Sequence, residues 1–201
     1  KSAAEAIGAE GYKVDTLSLL ASGAGKMGDT VNVQAKDAGQ ADLNVPADAA
    51  VVVVAGPRSP LLAPEVQAME RYLQKGGRLL ALLEPDEDGG LTTLLSQWKI
   101  GLQKDLIVDV NPLSRLLGLG PAAPMVQPTA EEHAITKSLN AAAVLFTAGS
   151  LVPLTTGNAK AEATALLEAG PSSWGETNLV GGSASRDDKD HLGPLTVAMA
   201  S

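Results

Sequence analysis

Seven consecutive residues, Ala49-Ala50-Val51-Val52-Val53-Val54-Ala55, are all apolar and four of them are β-branched; no other feature of the chain restricts its fold as tightly. The run is far too short to span a bilayer and lacks the polar–apolar alternation of a half-exposed strand, so it predicts a strand buried on both faces. Gly56-Pro57-Arg58-Ser59-Pro60 then turns the chain. Pro64 stands in a first-turn position, where its missing N–H costs nothing. Val66, Met69, Tyr72 and Leu73 recur at helical spacing, with Glu65, Gln67, Glu70, Arg71 and Gln74 on the other face. Gly76-Gly77 stops this helix, and Leu79-Leu80-Ala81-Leu82-Leu83 predicts a second buried strand. Strand, helix and strand in this order form a βαβ unit with a parallel strand pair.

The remaining segments are less sharply marked. Residues 1–11 predict the tail of a helix closed by Gly11, and Tyr12–Leu20 a strand. Ala21–Asp48 is a loop, with one short edge strand at Val31–Val33. A short helix is expected at Leu91–Trp98 and a buried strand at Leu106–Val110. Residues 111–132, with Pro112, Pro121, Pro124, Pro128 and several glycines, form an irregular excursion. A helical turn at His133–Leu139, strands at Ala142–Phe146 and Ala163–Leu167, a polar Gly-rich stretch over 170–194 and an apolar strand from Leu195 complete the chain. The pattern predicts a three-layer α/β domain with a mainly parallel sheet. Its core covers residues 1–110, and a β-rich or irregular extension, completing the sheet or forming a small second lobe, covers 111–201. The start at Lys1, inside a helix-like segment, and the stop at Ser201 both read as cuts in a longer chain.

Composition removes several function classes. Aromatic residues are 2% of the chain, so the core is built from Ala, Val and Leu, and there are few platforms on which bases or sugars could stack. The formal net charge of −8, without a Lys/Arg cluster to override it, argues against nucleic acid. The absence of Cys excludes thiolate chemistry and thiol-ligated metal.

Two loops leave the carboxyl ends of predicted strands, where open α/β sheets bind ligands. In the first, Gly56, Pro57, Arg58 and Ser59 could contact an anion through Arg58, although no phosphate-cradling glycine motif accompanies them. In the second, Glu84 and Asp86, with Glu87 and Asp88, could hold a hard cation, but the spacing does not match an EF-hand. Both loops have a plainer reading as a rigid turn and a solvated acidic loop. His133 and His191 lack the companions of a zinc site, and G-x-S-x-G does not occur. The expectation is therefore a protein with no catalytic residues, no bound metal and no cofactor. Trp174 is the candidate partner contact, with packing as its plainer role.

An ordered series of motifs resembles a known family. Val45-Pro46-Ala47-Asp48-Ala49, VVVVAGPRSPL and PEVQAMERYLQKGGRLLALLEP come first. Leu94–Trp98 with Ile100-Gly101, DLIVD at Asp105–Asp109 and His133-Ala134-Ile135-Thr136 follow. Ser172-Ser173-Trp174-Gly175-Glu176-Thr177 and Asp190-His191-Leu192-Gly193-Pro194-Leu195 close the series. Together these resemble the auxiliary component of bacterial ABC-type transport systems, which includes gliding-motility-associated proteins. The resemblance implies a domain outside the cytoplasm, tethered to the inner membrane, with the permease and ATPase subunits as partners. It also implies a flavodoxin-like fold similar to the class I glutamine amidotransferases, whose nucleophilic Cys this chain lacks. A non-catalytic accessory role in binding or assembly follows. A small-molecule or glycan sensor using the two loops is the alternative.

Overall fold

A computed structural model describes residues 3–19, 43–129, 133–179 and 182–201. The expected edge strand at Val31–Val33 lies outside them. The chain divides into two compact units, Lys1–Val52 with Leu62–Leu80, and Val53–Leu61 with Ala81–Ser201.

The first unit opens with α1 (Ala3–Ala9), and Gly11, at φ 88°, follows its end. Tyr12, Val14 and Leu17, expected on a strand, are exposed in irregular backbone, and only Leu19 is buried. Strand β1 (Val52–Ala55), helix α2 (Ala63–Gln74) and strand β2 (Leu79–Leu82) follow. Pro64 sits in the first turn of α2, and the Glu65 carboxylate accepts from the Leu62 N–H at 2.8 Å, satisfying a donor the helix cannot. The helix buries Ala68 and Met69, and Ala68 packs with Leu19 and Leu43. At its far end the Tyr72 hydroxyl donates to the Ala49 carbonyl at 2.9 Å. The Val52 N–H donates to Arg78 O, and in the second unit the Gly56 N–H donates to Leu82 O. The two strand numbers rise together, which is a parallel pairing, as the βαβ reading requires.

The rest of the second unit is dominated by short strands. Helix α3 (Thr92–Gln97) leads to β3 (Ile100–Leu102), β4 (Leu106–Asp109) and α4 (Pro112–Leu116). After these come β5 (Met125–Pro128), β6 (Ala143–Val144), β7 (Leu151–Pro153), β8 (Thr164–Ala169), β9 (Ser173–Glu176), β10 (His191–Leu192) and β11 (Leu195–Ala200). They pair as three antiparallel sheets, β10-β9-β4, β11-β8-β5-β6 and β3-β7. Ile107, Val126, Ala169 and Leu195 form the core between strands, with Leu145, Leu167 and Val197 packed against them.

The three-layer, mainly parallel, flavodoxin-like expectation is therefore wrong. One parallel pair is joined by small antiparallel sheets, and α2 is the only described helix longer than seven residues. The apolar run of β4 carries the misreading. Such a run fits a parallel strand and a buried antiparallel one equally well, and here its neighbour is β9, from far downstream. Strand β1 is also not buried on both faces: Val52 is 8% exposed, but Val51 and Val53 are 48% and 45% exposed. Residues before and after 110 share two sheets, through β3 with β7 and β4 with β9.

Candidate functional site

The sheet β10-β9-β4 gathers three of the sequence motifs in one place: DLIVD supplies β4, SSWGET supplies β9, and DHLGPL supplies β10. The register sets Gly175 opposite both Ile107 and His191. Four acids at the ends of these strands, Asp105, Asp109, Glu176 and Asp190, are buried. Burying a carboxylate costs several kcal/mol unless its oxygens are satisfied, and each of the four finds donors within the chain.

Asp105 is the most enclosed. Its Oδ1 accepts from the Ser150 N–H at 2.8 Å, its Oδ2 from the Ser150 hydroxyl, and His191 Nδ1 lies 2.7 Å from the same Oδ2. The Asp105 side chain has no exposure, whereas that of His191 is 37% exposed. Asp109 accepts from the N–H groups of Asn111 and Met125 and the hydroxyls of Ser114 and Ser172. Glu176 accepts from the Trp174 indole and the N–H groups of Asn178 and Ser185. Asp190 accepts from the N–H groups of Thr177 and Asp187 and the Thr177 hydroxyl. Burial opposes the charged form of Asp190, but these hydrogen bonds and neighbouring His191 outweigh it and hold its carboxyl below the usual range.

Chemically, the arrangement around Asp105 is a brace. In a hydrolase triad the serine bonds to histidine and the histidine to aspartate. Here Ser150 and His191 both converge on one Asp105 oxygen, and Ser150 is 1% exposed. Among the described residues, no group of three or more His, Asp or Glu side chains is placed to hold a metal ion.

The two strand-end loops meet. The Leu61 N–H donates to Gly89 O at 2.9 Å, and a Cβ on Gly89 would come within 2.5 Å of the Pro57 ring. Gly56, Arg58 and Ser59 are exposed, as are Glu84 and Asp86. Glu84 accepts from the Thr147 hydroxyl at 3.0 Å. Asp88 accepts from the Thr92 hydroxyl and the Gly90 N–H, and the hydroxyl is the first cause holding its carboxyl below the usual range. It thereby fixes the start of α3. Trp174 is 8% exposed, with its indole N–H turned to Glu176 at 3.3 Å, so it packs inside the unit. Sequence reasoning placed His191 in a polar loop and missed its contact with Asp105. The only available signal was that both lie in motifs of the same series.

These features define a β-rich domain whose buried acids fasten its own loops. Residues 30–200 match the family described as an ABC-type uncharacterized transport system, and the chain belongs to that family as an auxiliary component of the system. Its fold is similar to a solved structure titled "mmIFT52 N-terminal domain", with a TM-score of 0.50 and 22% identity. That match covers 62% of this chain and 57% of the other, so it spans little more than half of that structure, and at this identity the likeness concerns fold alone. Comparison with curated proteins finds no match. No helix among the described residues is long and apolar enough to cross a membrane.

Proposed function

We propose that this auxiliary component is non-catalytic and works by binding and assembly with the permease and ATPase subunits, on the extracytoplasmic face of a bacterial inner membrane to which the full-length protein is tethered. One observation carries the reading: the buried carboxylates are consumed by the chain's own N–H and hydroxyl groups. Acids used this way stiffen loops, and stiff loops lower the ordering cost of forming an interface. Family membership supports partners within the transport system. The test is purification of tagged full-length protein from membranes in mild detergent. The permease and ATPase subunits are expected to co-purify, and recovery of the protein alone overturns the assembly role.

One observation favours a second reading, ligand sensing: the Gly56–Pro60 and Glu84–Gly90 loops are joined at Leu61 and Gly89, with Arg58, Ser59, Glu84 and Asp86 open to solvent. A ligand held there at 100 times its Kd adds about 2.7 kcal/mol of stability. That corresponds to a melting shift of roughly 5–10 °C for a chain of this size. A thermal-shift screen of metals, nucleotides and sugars without such a shift removes this reading.

A further inference from the structure

The turn that closes α2 borders a cavity of about 300 Å³, lined by residues of the first unit alone. Val45, Ala47, Ala49 and Ala68 give it an aliphatic wall, and Arg71 and Lys75 give it a cationic side. The Tyr72 ring lies against Gly77, where a Cβ would collide with it, and its hydroxyl donates to the Ala49 carbonyl. The helix end and the Val45–Ala49 segment are thereby pinned to each other, so the cavity is a formed feature.

Its two cations are short of acceptors. Arg71 donates from Nη2 to the Leu43 carbonyl, but its Nε is buried with no hydrogen-bond partner among the described residues. Folded chains seldom leave a buried N–H unpaired. Among the described residues no ion pair joins Arg71 or Lys75 to an acid, although acids outnumber bases 23 to 15 in the chain. The carbonyls at the helix end do not occupy these side chains either. The N–H groups of Lys75, Gly76 and Gly77 already donate to the carbonyls of Arg71, Tyr72 and Leu73. Two like charges four residues apart on a helix repel, and an anion between them reverses the sign of that interaction.

We infer that this cavity binds a small aliphatic monocarboxylate, its head group between Arg71 and Lys75 and its hydrocarbon body on Val45, Ala47, Ala49 and Ala68. A phosphoryl group is usually held by converging backbone N–H groups or by a helix N-terminus. Here the helix presents its C-terminus, the Gly76 and Gly77 N–H groups are spent within the turn, and the facing wall is aliphatic. None of these residues belongs to the Gly56–Pro60 or Glu84–Gly90 loops. Carboxylate binding and subunit co-purification can each fail while the other holds.

The test is amide NMR of the isotopically labelled 201-residue chain, titrated with hexanoate, hexanol or inorganic phosphate while the signals of Lys75, Gly76 and Gly77 are followed. Hexanoate is expected to shift them with a Kd on the order of 1 mM, within the range for so small a ligand. Hexanol, without the charge, and phosphate, without the hydrocarbon body, are each expected to bind at least about tenfold more weakly. Arg71→Gln is expected to weaken hexanoate roughly tenfold. Arg71 also fastens Leu43, so two variants at exposed positions accompany it. Lys75→Gln is expected to weaken hexanoate about threefold, and Ala47→Trp to fill the cavity and abolish binding, both with the parent's melting behaviour. The inference is overturned if hexanoate at about 20 mM shifts none of these amides, or if hexanol or phosphate binds as tightly as hexanoate. It is equally overturned if either exposed variant binds hexanoate as tightly as the parent.

Discussion

Replacing Gly175 by alanine tests whether the Asp105 brace holds the second unit together. Gly175 sits in the central strand β9, and a Cβ there would lie 2.0 Å from Asp105 Oδ2, 2.7 Å from Cγ and 3.1 Å from Cβ. Rotating the side chain leaves the contact with Cβ, and the carboxylate itself is held by the Ser150 N–H, the Ser150 hydroxyl and His191. The methyl group must push the carboxylate away and loosen three bonds at once. A hydrogen bond to a charged group contributes about 1.5–3 kcal/mol, and bonds sharing one carboxylate are not additive, so Gly175→Ala is expected to cost ~3–5 kcal/mol. At roughly 2–4 °C per kcal/mol for a chain of this length, melting falls by about 6–20 °C. Urea titration followed by far-UV circular dichroism measures the loss. Repeating the substitution in an Asp105→Ala background separates this clash from a general intolerance of bulk. There the carboxylate is already gone, and the cost of the methyl is expected to fall by at least ~1.5 kcal/mol. A cost below about 1 kcal/mol, or the same cost in both backgrounds, refutes the account.

Two further expectations follow from contacts in each unit. The carboxyl of Asp190 is held below the ordinary value in the folded chain, so its stabilisation is full above the unfolded pKa of about 3.9 and disappears as pH falls through the lower folded value. Asp190→Asn should flatten the acid limb of the stability–pH curve below about pH 4, and an unchanged limb counts against the assignment. In the first unit, Tyr72→Phe removes the hydroxyl that reaches Ala49 O and should cost about 1 kcal/mol in urea midpoint analysis.

How far the sequence foretold the molecule depends on where each strand's partner lies. Val51–Ala55, Pro64–Gln74 and Leu79–Leu82 signal their states locally through β-branching, a first-turn proline and paired glycines, and β1, α2 and β2 form there. Residues 170–194 look like loop because Ser173, Glu176 and Asp190 are polar, yet β9 and β10 lie among them. Hydrophobic periodicity scores such residues as outward. They face inward because the Gly170 carbonyl accepts from the Ser173 hydroxyl, the Ser185 N–H donates to Glu176, and the Thr177 N–H and hydroxyl donate to Asp190, partners that a linear pattern cannot display. The brace was illegible for the same reason. Asp105 is separated from Ser150 by 45 residues and from His191 by 86, and no local signal links them. The excursion expected over 111–132 holds α4 and β5, and the strand expected over Ala142–Phe146 shortens to β6, with Phe146 exposed beyond it.

The span between Asp105 and His191 also governs how the chain comes into being. At ribosomal speeds of about 5–20 residues per second, the 86 intervening residues take roughly 4–17 s to emerge. For most of that interval Leu106–Asp109 is an apolar segment still waiting for Ser173–Glu176, with its edges free to pair with other nascent chains. Closure of the sheet thus waits for contacts distant in sequence and is correspondingly slow. A growing polypeptide of this kind depends on being shielded until Ser173–Glu176 and His191–Leu192 have appeared.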